Sequence, residues 1–247
     1  MKKTKVEQIG REIYFPISDG EFKSQIEEIW VDETYGLEKK PGGIYVDVGA
    51  NVGMATMYFA QFASQVYAVE PNPEIYAALV LNTQHLPNVK TFNCALANGD
   101  GKDFLYANGQ YDLPQTMFDR TKKDSGVNRA IVIDCMGTDS FFKMAGIGHV
   151  DVMKVDTEEA EYVIFPSPSF GKVAPQIDVV LGEAHISISG GFPEIIPVIM
   201  EEWGYQTTFP KLKRPNYRRL FEVREPTTGL SKKYHLDVNT IFVCKRP

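Results

Sequence analysis

Ile44-Tyr-Val-Asp-Val-Gly-Ala-Asn-Val-Gly53 is the stretch from which the rest of this chain can be read. Ile44 to Val48 is a short apolar, β-branched run, the pattern of a strand buried on both faces, interrupted by Asp47 near its end. Gly49, Ala50 and Gly53 then let the backbone turn sharply and approach a neighbour closely, with Asn51 inside the turn. From Met54 the apolar residues Met54, Met57, Tyr58, Phe59 and Phe62 recur at helical spacing. A strand, a glycine turn and a helix leave free amides at the carboxyl end of the strand, the geometry of a nucleotide-type site.

A second strand follows in Gln65-Val-Tyr-Ala-Val-Glu70, stopped by Pro71-Asn72-Pro73. Glu70 lies 21 residues after Gly49, where an acid accepts both hydroxyl hydrogen bonds of a ribose, with Pro71 and Asn72 beside it. A dinucleotide would want G-x-G-x-x-G for its pyrophosphate. Here the glycines are Gly49 and Gly53, and Asp47 would repel an anion but welcome a cation. S-adenosylmethionine carries a ribose, a sulfonium and an ammonium but no phosphate, so it is the expected ligand, with NAD as the alternative. The plainer reading of the two acids is that Asp47 caps the turn and Glu70 is a solvated strand end.

Length and composition narrow the class. With 247 residues, one α/β domain with decorations is expected: residues 1–40 as an N-terminal decoration and 41–247 as the main domain. A net charge of −6 without a basic tail argues against nucleic acid or an anionic membrane as partner, leaving a small molecule. A homo-oligomer is compatible with the sequence. The start shows no leader-like apolar segment, and no apolar stretch is long enough to span a bilayer. Cys94, Cys135 and Cys244 sit singly in apolar runs, as buried thiols of a cytoplasmic protein would.

Along the chain, Glu12 to Ile17 reads as a strand and 21–31 as a helix, which either lies over the ligand cleft as a lid or covers the sheet edge. Pro73 opens a second helix, and Asn88 to Ala95 is a third strand. Asn93 and Ala95 at its carboxyl end would lie near the adenine, or Asn93 simply closes the turn. Residues 97–130 form an insertion; Ala130 to Cys135 is a strand, followed by a helix with Thr138 as its cap. Val150 to Val155 is a fourth strand ending at Asp156, placed to face ligand or substrate; Glu158 and Glu159 read as helix-start charges. Gln176 to Ile186 is a fifth strand, with Glu183 and His185 on one face near its end. His185 is a candidate general base with Asp156, or else a hydrogen-bonded core or surface histidine. No metal is expected, the alternative being one held by Asp156, Glu183 and His185. A mobile loop at 187–191 and a locally basic stretch at 211–219 follow. The βα units and a terminal pair of strands predict a mostly parallel sheet with one antiparallel strand and helices on both faces.

Val46-Asp-Val-Gly-Ala-Asn-Val-Gly53, Ala68-Val-Glu-Pro-Asn72, Asn93-Cys-Ala-Leu96 and Met153-Lys-Val-Asp-Thr-Glu-Glu-Ala-Glu161 resemble motifs of the FkbM-type family of class I S-adenosylmethionine-dependent methyltransferases. The resemblance covers about residues 25–185 and departs where Glu159 replaces a glycine. It implies a Rossmann-like fold with a seven-stranded sheet and O-methylation of a hydroxyl on a sugar or secondary metabolite. N-methylation, an NAD-dependent oxidoreductase and a non-catalytic cofactor-binding protein remain the alternatives.

Overall fold

In a computed structural model, the described residues are 1–16, 25–36, 38–106, 130–185, 193–210 and 241–247, with backbone alone over 218–224, 231–237 and 239–240. The expected helix start at 21–24, the centre of the insertion, the loop at 187–191 and the basic residues 211–217 lie outside them.

The central run folds as expected. Strand β3 (Ile44–Val48) leads through the glycine turn into α1 (Met54–Phe59), and β4 (Gln65–Val69) leads into α2 (Pro73–Thr83), which Asn72 caps by accepting from Glu74 N and Ile75 N. The chain continues through β5 (Val89–Phe92), β9 (Val150–Val155), β10 (Ile177–His185), β11 (Gln206–Thr208) and β14 (Asn239–Lys245) to complete the sheet. Its order is β11-β14-β10-β9-β3-β4-β5. All neighbours pair in parallel except β14, which is antiparallel to β10 and β11. The fold is therefore the mostly parallel, Rossmann-like seven-stranded sheet expected from the sequence, with one antiparallel strand.

Strand alternation divides the core into two layers. Val46, Val48, Val69, Met153, Val155 and Val180 pack on one face with Phe141, Phe165, Phe170, Ile196 and Met200. These come from α3 (Thr138–Ala145), α4 (Glu161–Ile164), α5 (Pro168–Val173) and α6 (Ile196–Glu202) and their flanks. Tyr45, Val66, Val152, Val179 and Leu181 face the other way, against Met57, Phe59, Ile75 and the N-terminal Ile13 and Ile29. Each such side chain, fully buried, contributes about 1.5–3 kcal/mol. The N-terminal hairpin of β1 (Lys2–Val6) and β2 (Arg11–Phe15) is fastened by Asn82, which exchanges hydrogen bonds with Tyr14 N and Tyr14 O at 2.8 and 3.0 Å.

The structure corrects three sequence expectations. The run 88–95 is not one strand: β5 joins the main sheet, whereas β6 (Ala95–Ala97) pairs with β8 (Ala130–Gly137), itself paired with β7 (Gly101–Tyr106). The cap of α3 is Gly137, not Thr138, whose buried hydroxyl has no hydrogen-bond partner among the described residues. Glu158 and Glu159 are not helix-start charges, because α4 begins at Glu161 and both residues sit in the preceding turn with φ of 52° and 87°. The family glycine is thus replaced by a glutamate held in the left-handed region, a strain of about 1–2 kcal/mol. Among the described residues no helix is long and apolar enough to cross a membrane. Strands β12 (Arg218–Arg224) and β13 (Ser231–Asp237) form an antiparallel pair.

Candidate active site

The register places the site. Val48 is level with Val69 on one side and Val155 on the other, and Val155 with Gly182 beyond. Gly49, Glu70 and Asp156 therefore leave the sheet side by side at its carboxyl edge, level with Glu183, where β10 runs on to His185. Here the chain order reverses, since β4 and β5 lie to one side of β3 and β9 and β10 to the other; in open α/β sheets this switch point is where ligands bind.

The glycine turn is shaped by close contacts. Gly49 has φ +75°, and a Cβ on it would stand 1.9 Å from the Asp156 carbonyl oxygen. Gly53, at φ +94°, would press a Cβ to 2.8 Å from Leu79 Cδ1. Asn51 takes φ 51°, which asparagine tolerates better than most residues. Its side chain accepts from Val52 N at 2.8 Å, and Ala50 packs with Ala68 and Leu79.

Glu70 binds this turn to the next. Its two oxygens accept from Asn51 N at 2.9 Å and Asn72 N at 2.8 Å, leaving further lone pairs on a carboxylate that is 6% exposed. Burial, only partly offset by the two amides, raises its pKa to about 7. Asn93 donates to the Glu70 and Pro71 carbonyls at 2.8 and 3.0 Å, so its amide closes the turn, and Asn72 serves as a buried helix cap. Ala95 is buried in β6, within the smaller sheet.

Asp47 does not face the crevice. It is fully buried, accepts from Thr56 Oγ1 at 2.6 Å and meets Lys154 Nζ at 3.2 Å; the cation it attracts belongs to the chain itself. Lys154, its register partner on β9, also donates to Gly49 O at 2.9 Å and lies 3.4 Å from Asp156 Oδ2. Burial would depress this ammonium, but Asp47 and Asp156 outweigh burial and hold it above the ordinary lysine range. Asp156 is opposed by burial too, yet Lys154, His185 and the hydrogen bond from Tyr35 keep its carboxyl below the usual range. Tyr35 Oη donates to Asp156 Oδ2 at 3.0 Å from the turn Thr34–Gly36, so the N-terminal segment contributes directly to the site.

His185 ends β10 inside a ring of acids. Its Nδ1 is 3.3 Å from Glu161 Oε1, and Nε2 lies 3.8 Å from Asp156 Oδ1 and 3.9 Å from Glu158 Oε2. Burial would lower its pKa, but Glu161, then Glu158 and Glu183, hold the ring above the ordinary imidazole range. Glu28, from the N-terminal segment, is raised to about 7 by burial and by Asp156. Sequence reading missed Lys154, Tyr35, Glu28 and Glu161 as members of the site. A usable signal existed for Lys154 alone: a lysine in mid-strand among valines, two residues before Asp156.

These features agree with what the chain is similar to. A relative, the AMB antimetabolite synthetase AmbE of Pseudomonas aeruginosa, is 24% identical over 74% of this chain and 10% of its own length. The 31-O-demethyl-FK506 methyltransferase FkbM of Streptomyces tacrolimicus is 36% identical over 34% of this chain and 35% of its own. The chain thus spans about a tenth and about a third of these curated relatives. Among solved structures, precorrin-6y C5,15-methyltransferase from Geobacter metallireducens aligns with 93% of this chain and 91% of its own at 11% identity, with a TM-score of 0.45. The family model described as the methyltransferase FkbM domain matches residues 47–207, well over half of the chain and the whole of the site from Asp47 to His185, and the chain belongs to that family.

Proposed function

We propose that this chain is an S-adenosylmethionine-dependent methyltransferase that methylates a hydroxyl of a small molecule such as a sugar or secondary metabolite, in the cytoplasm. The reading rests above all on Glu70, a carboxylate at the tip of β4 beside a glycine turn with no pyrophosphate fingerprint. The name of the FkbM relative, a 31-O-demethyl-FK506 methyltransferase, favours oxygen as the atom methylated. Three buried free thiols fit a reducing compartment.

The cofactor would supply a methyl group on a sulfonium, whose C–S electron pair stays with sulfur as the acceptor oxygen bonds to carbon. Glu70 would hold the ribose hydroxyls, and Gly49 and Gly53 would keep the turn close enough for the nucleoside to lie against it. Asp156 takes the acceptor proton as the new C–O bond forms. It is the better placed acceptor, since Lys154 and His185 hold its carboxyl below the usual range whereas the surrounding acids hold the His185 ring above its ordinary one. Lys154 and Tyr35 fix its direction from one side, and His185 faces it from the other. Alignment of acceptor and donor supplies the rest of the rate.

Titration of the full chain with S-adenosylmethionine and with NADH tests the proposal; saturable binding of NADH alone would transfer it to the oxidoreductases. Glu70→Ala is expected to weaken binding of the methyl donor by about 2–4 kcal/mol, roughly 30- to 1000-fold, through loss of two charge-assisted hydrogen bonds. The ligand's hydroxyls donate, so they select the ionised carboxylate, and with a pKa of about 7 affinity should rise as pH is raised through neutrality. Glu70→Gln should flatten that rise, which Glu28, titrating in the same range, would not do. Tyr35→Phe keeps the buried ring and removes one hydrogen bond to Asp156. Turnover is expected to fall roughly 5- to 30-fold, corresponding to about 1–2 kcal/mol, with donor affinity unchanged in calorimetry.

A further inference from the structure

Acids outnumber cations at the ends of β9 and β10. Glu28, Asp156, Glu158, Glu161 and Glu183 gather there with Lys154 and His185. Most have partners inside the fold. Glu161 Oε1 accepts from Thr157 N at 2.7 Å and Thr157 Oγ1 at 3.0 Å and faces His185 Nδ1. Lys154 is shared among Asp47, Gly49 O and Asp156. Glu183 is different. It is 6% exposed, lies level with Asp156 on the adjacent strand, and accepts no hydrogen bond among the described residues. A buried carboxylate without a donor has to be neutralised, by a proton or by a cation.

The donor atoms offered by Asp156, Glu183 and His185 all lie within 4.8 Å of one another, and His185 Nε2 is 3.8 Å from Asp156 Oδ1. Two ligands bound to one small cation at about 2.1 Å stand about 3 Å apart when adjacent and about 4 Å apart when opposite. Small side-chain rotations would bring the three into that range. His185 is held for this purpose: Nδ1 is engaged by Glu161, leaving Nε2 directed to the cluster, the arrangement by which an outer carboxylate orients a ligating imidazole.

We propose that Asp156 Oδ1, the Glu183 carboxylate and His185 Nε2 bind one divalent cation. One imidazole and two carboxylates suit a first-row ion such as Mn²⁺ more than Ca²⁺. The ion binds a neutral Nε2, so binding displaces any proton held there. Its use in catalysis, as the group to which the acceptor hydroxyl binds, rests on the methyltransferase reading; the binding itself does not.

A second set of donors, His149, Asp151 and Asp178, lies at the opposite end of the same strands and supplies the control. His149 and Asp178 are about half exposed, and Asp151 Oδ2 already accepts from Ile44 N at 2.8 Å. Manganese titration of the full chain, followed by loss of the free-ion paramagnetic resonance signal, decides between them. The wild-type protein is expected to take up one Mn²⁺. Glu183→Gln and His185→Ala should each weaken uptake at least ~tenfold, while His149→Ala leaves it unchanged. Wild-type protein that leaves millimolar Mn²⁺ free overturns the proposal, whatever the variants do. So does uptake lost in His149→Ala but kept in Glu183→Gln. The same samples titrated with S-adenosylmethionine separate the two readings: donor binding without metal uptake refutes only the cation site, and metal uptake without donor binding refutes only the methyltransferase.

Discussion

Asp156→Asn is expected to reduce methyl transfer by about 10²–10⁴-fold, the range for loss of a positioned proton acceptor, with donor affinity within about threefold of the wild type. The substitution is nearly isosteric. Tyr35 and Lys154 can still meet the remaining oxygen, and Lys154 keeps Asp47 and the Gly49 carbonyl. A fall in turnover therefore reports chemistry rather than collapse of the turn. His185→Ala provides the comparison. It should retain donor binding too, and its smaller loss of turnover would place the imidazole as a group that positions Asp156. Single-turnover rates together with calorimetry measure both effects; parallel loss of binding in both variants would refute this division of roles.

Lys154→Met should be the most destabilising substitution at the site, by about 3–5 kcal/mol. Its ammonium is 3% exposed and lies against two carboxylates, one of them, Asp47, with no exposure at all. Removing it leaves Asp47 buried beside Thr56 with an uncompensated charge, against a total stability for such a domain of about 5–15 kcal/mol. Adding Asp47→Asn should restore part of the loss, because the stranded charge is then gone. Urea melts of the two single variants and the double variant give the coupling directly; a Lys154→Met melt within about 1 kcal/mol of the wild type would contradict the buried pair.

The same pair shows what the sequence discloses and what it does not. Alternation of apolar residues and the glycine turn were enough to place β3, β4, β9 and β10 and their parallel order, because those patterns are local. Glu70 and Asp156 were legible as strand-end acids for the same reason: each directly follows an apolar strand. Asp47 was assigned to the ligand because its partner lies 107 residues away on β9, and only the strand register reveals that the two are neighbours. Tyr35 and Glu28 reach the site from the N-terminal segment, whose apolar spacing fits a lid over the cleft and a cover for the sheet edge equally well. Thr138 looked like a cap by residue type, but the extended backbone at Gly137 moved the helix start by one position. The break at Asn93 had no apolar signal, since both halves of the run suit a strand and the division arises from pairing with β8.

The methyltransferase assignment depends most on a nucleoside held at the tips of β3 and β4. A crystal structure of the full chain soaked with S-adenosylhomocysteine tests that most directly. It should show the ribose hydroxyls within hydrogen-bonding distance of the Glu70 oxygens and the sulfur directed toward Asp156. An empty crevice with Glu70 turned away, at saturating ligand, would contradict it.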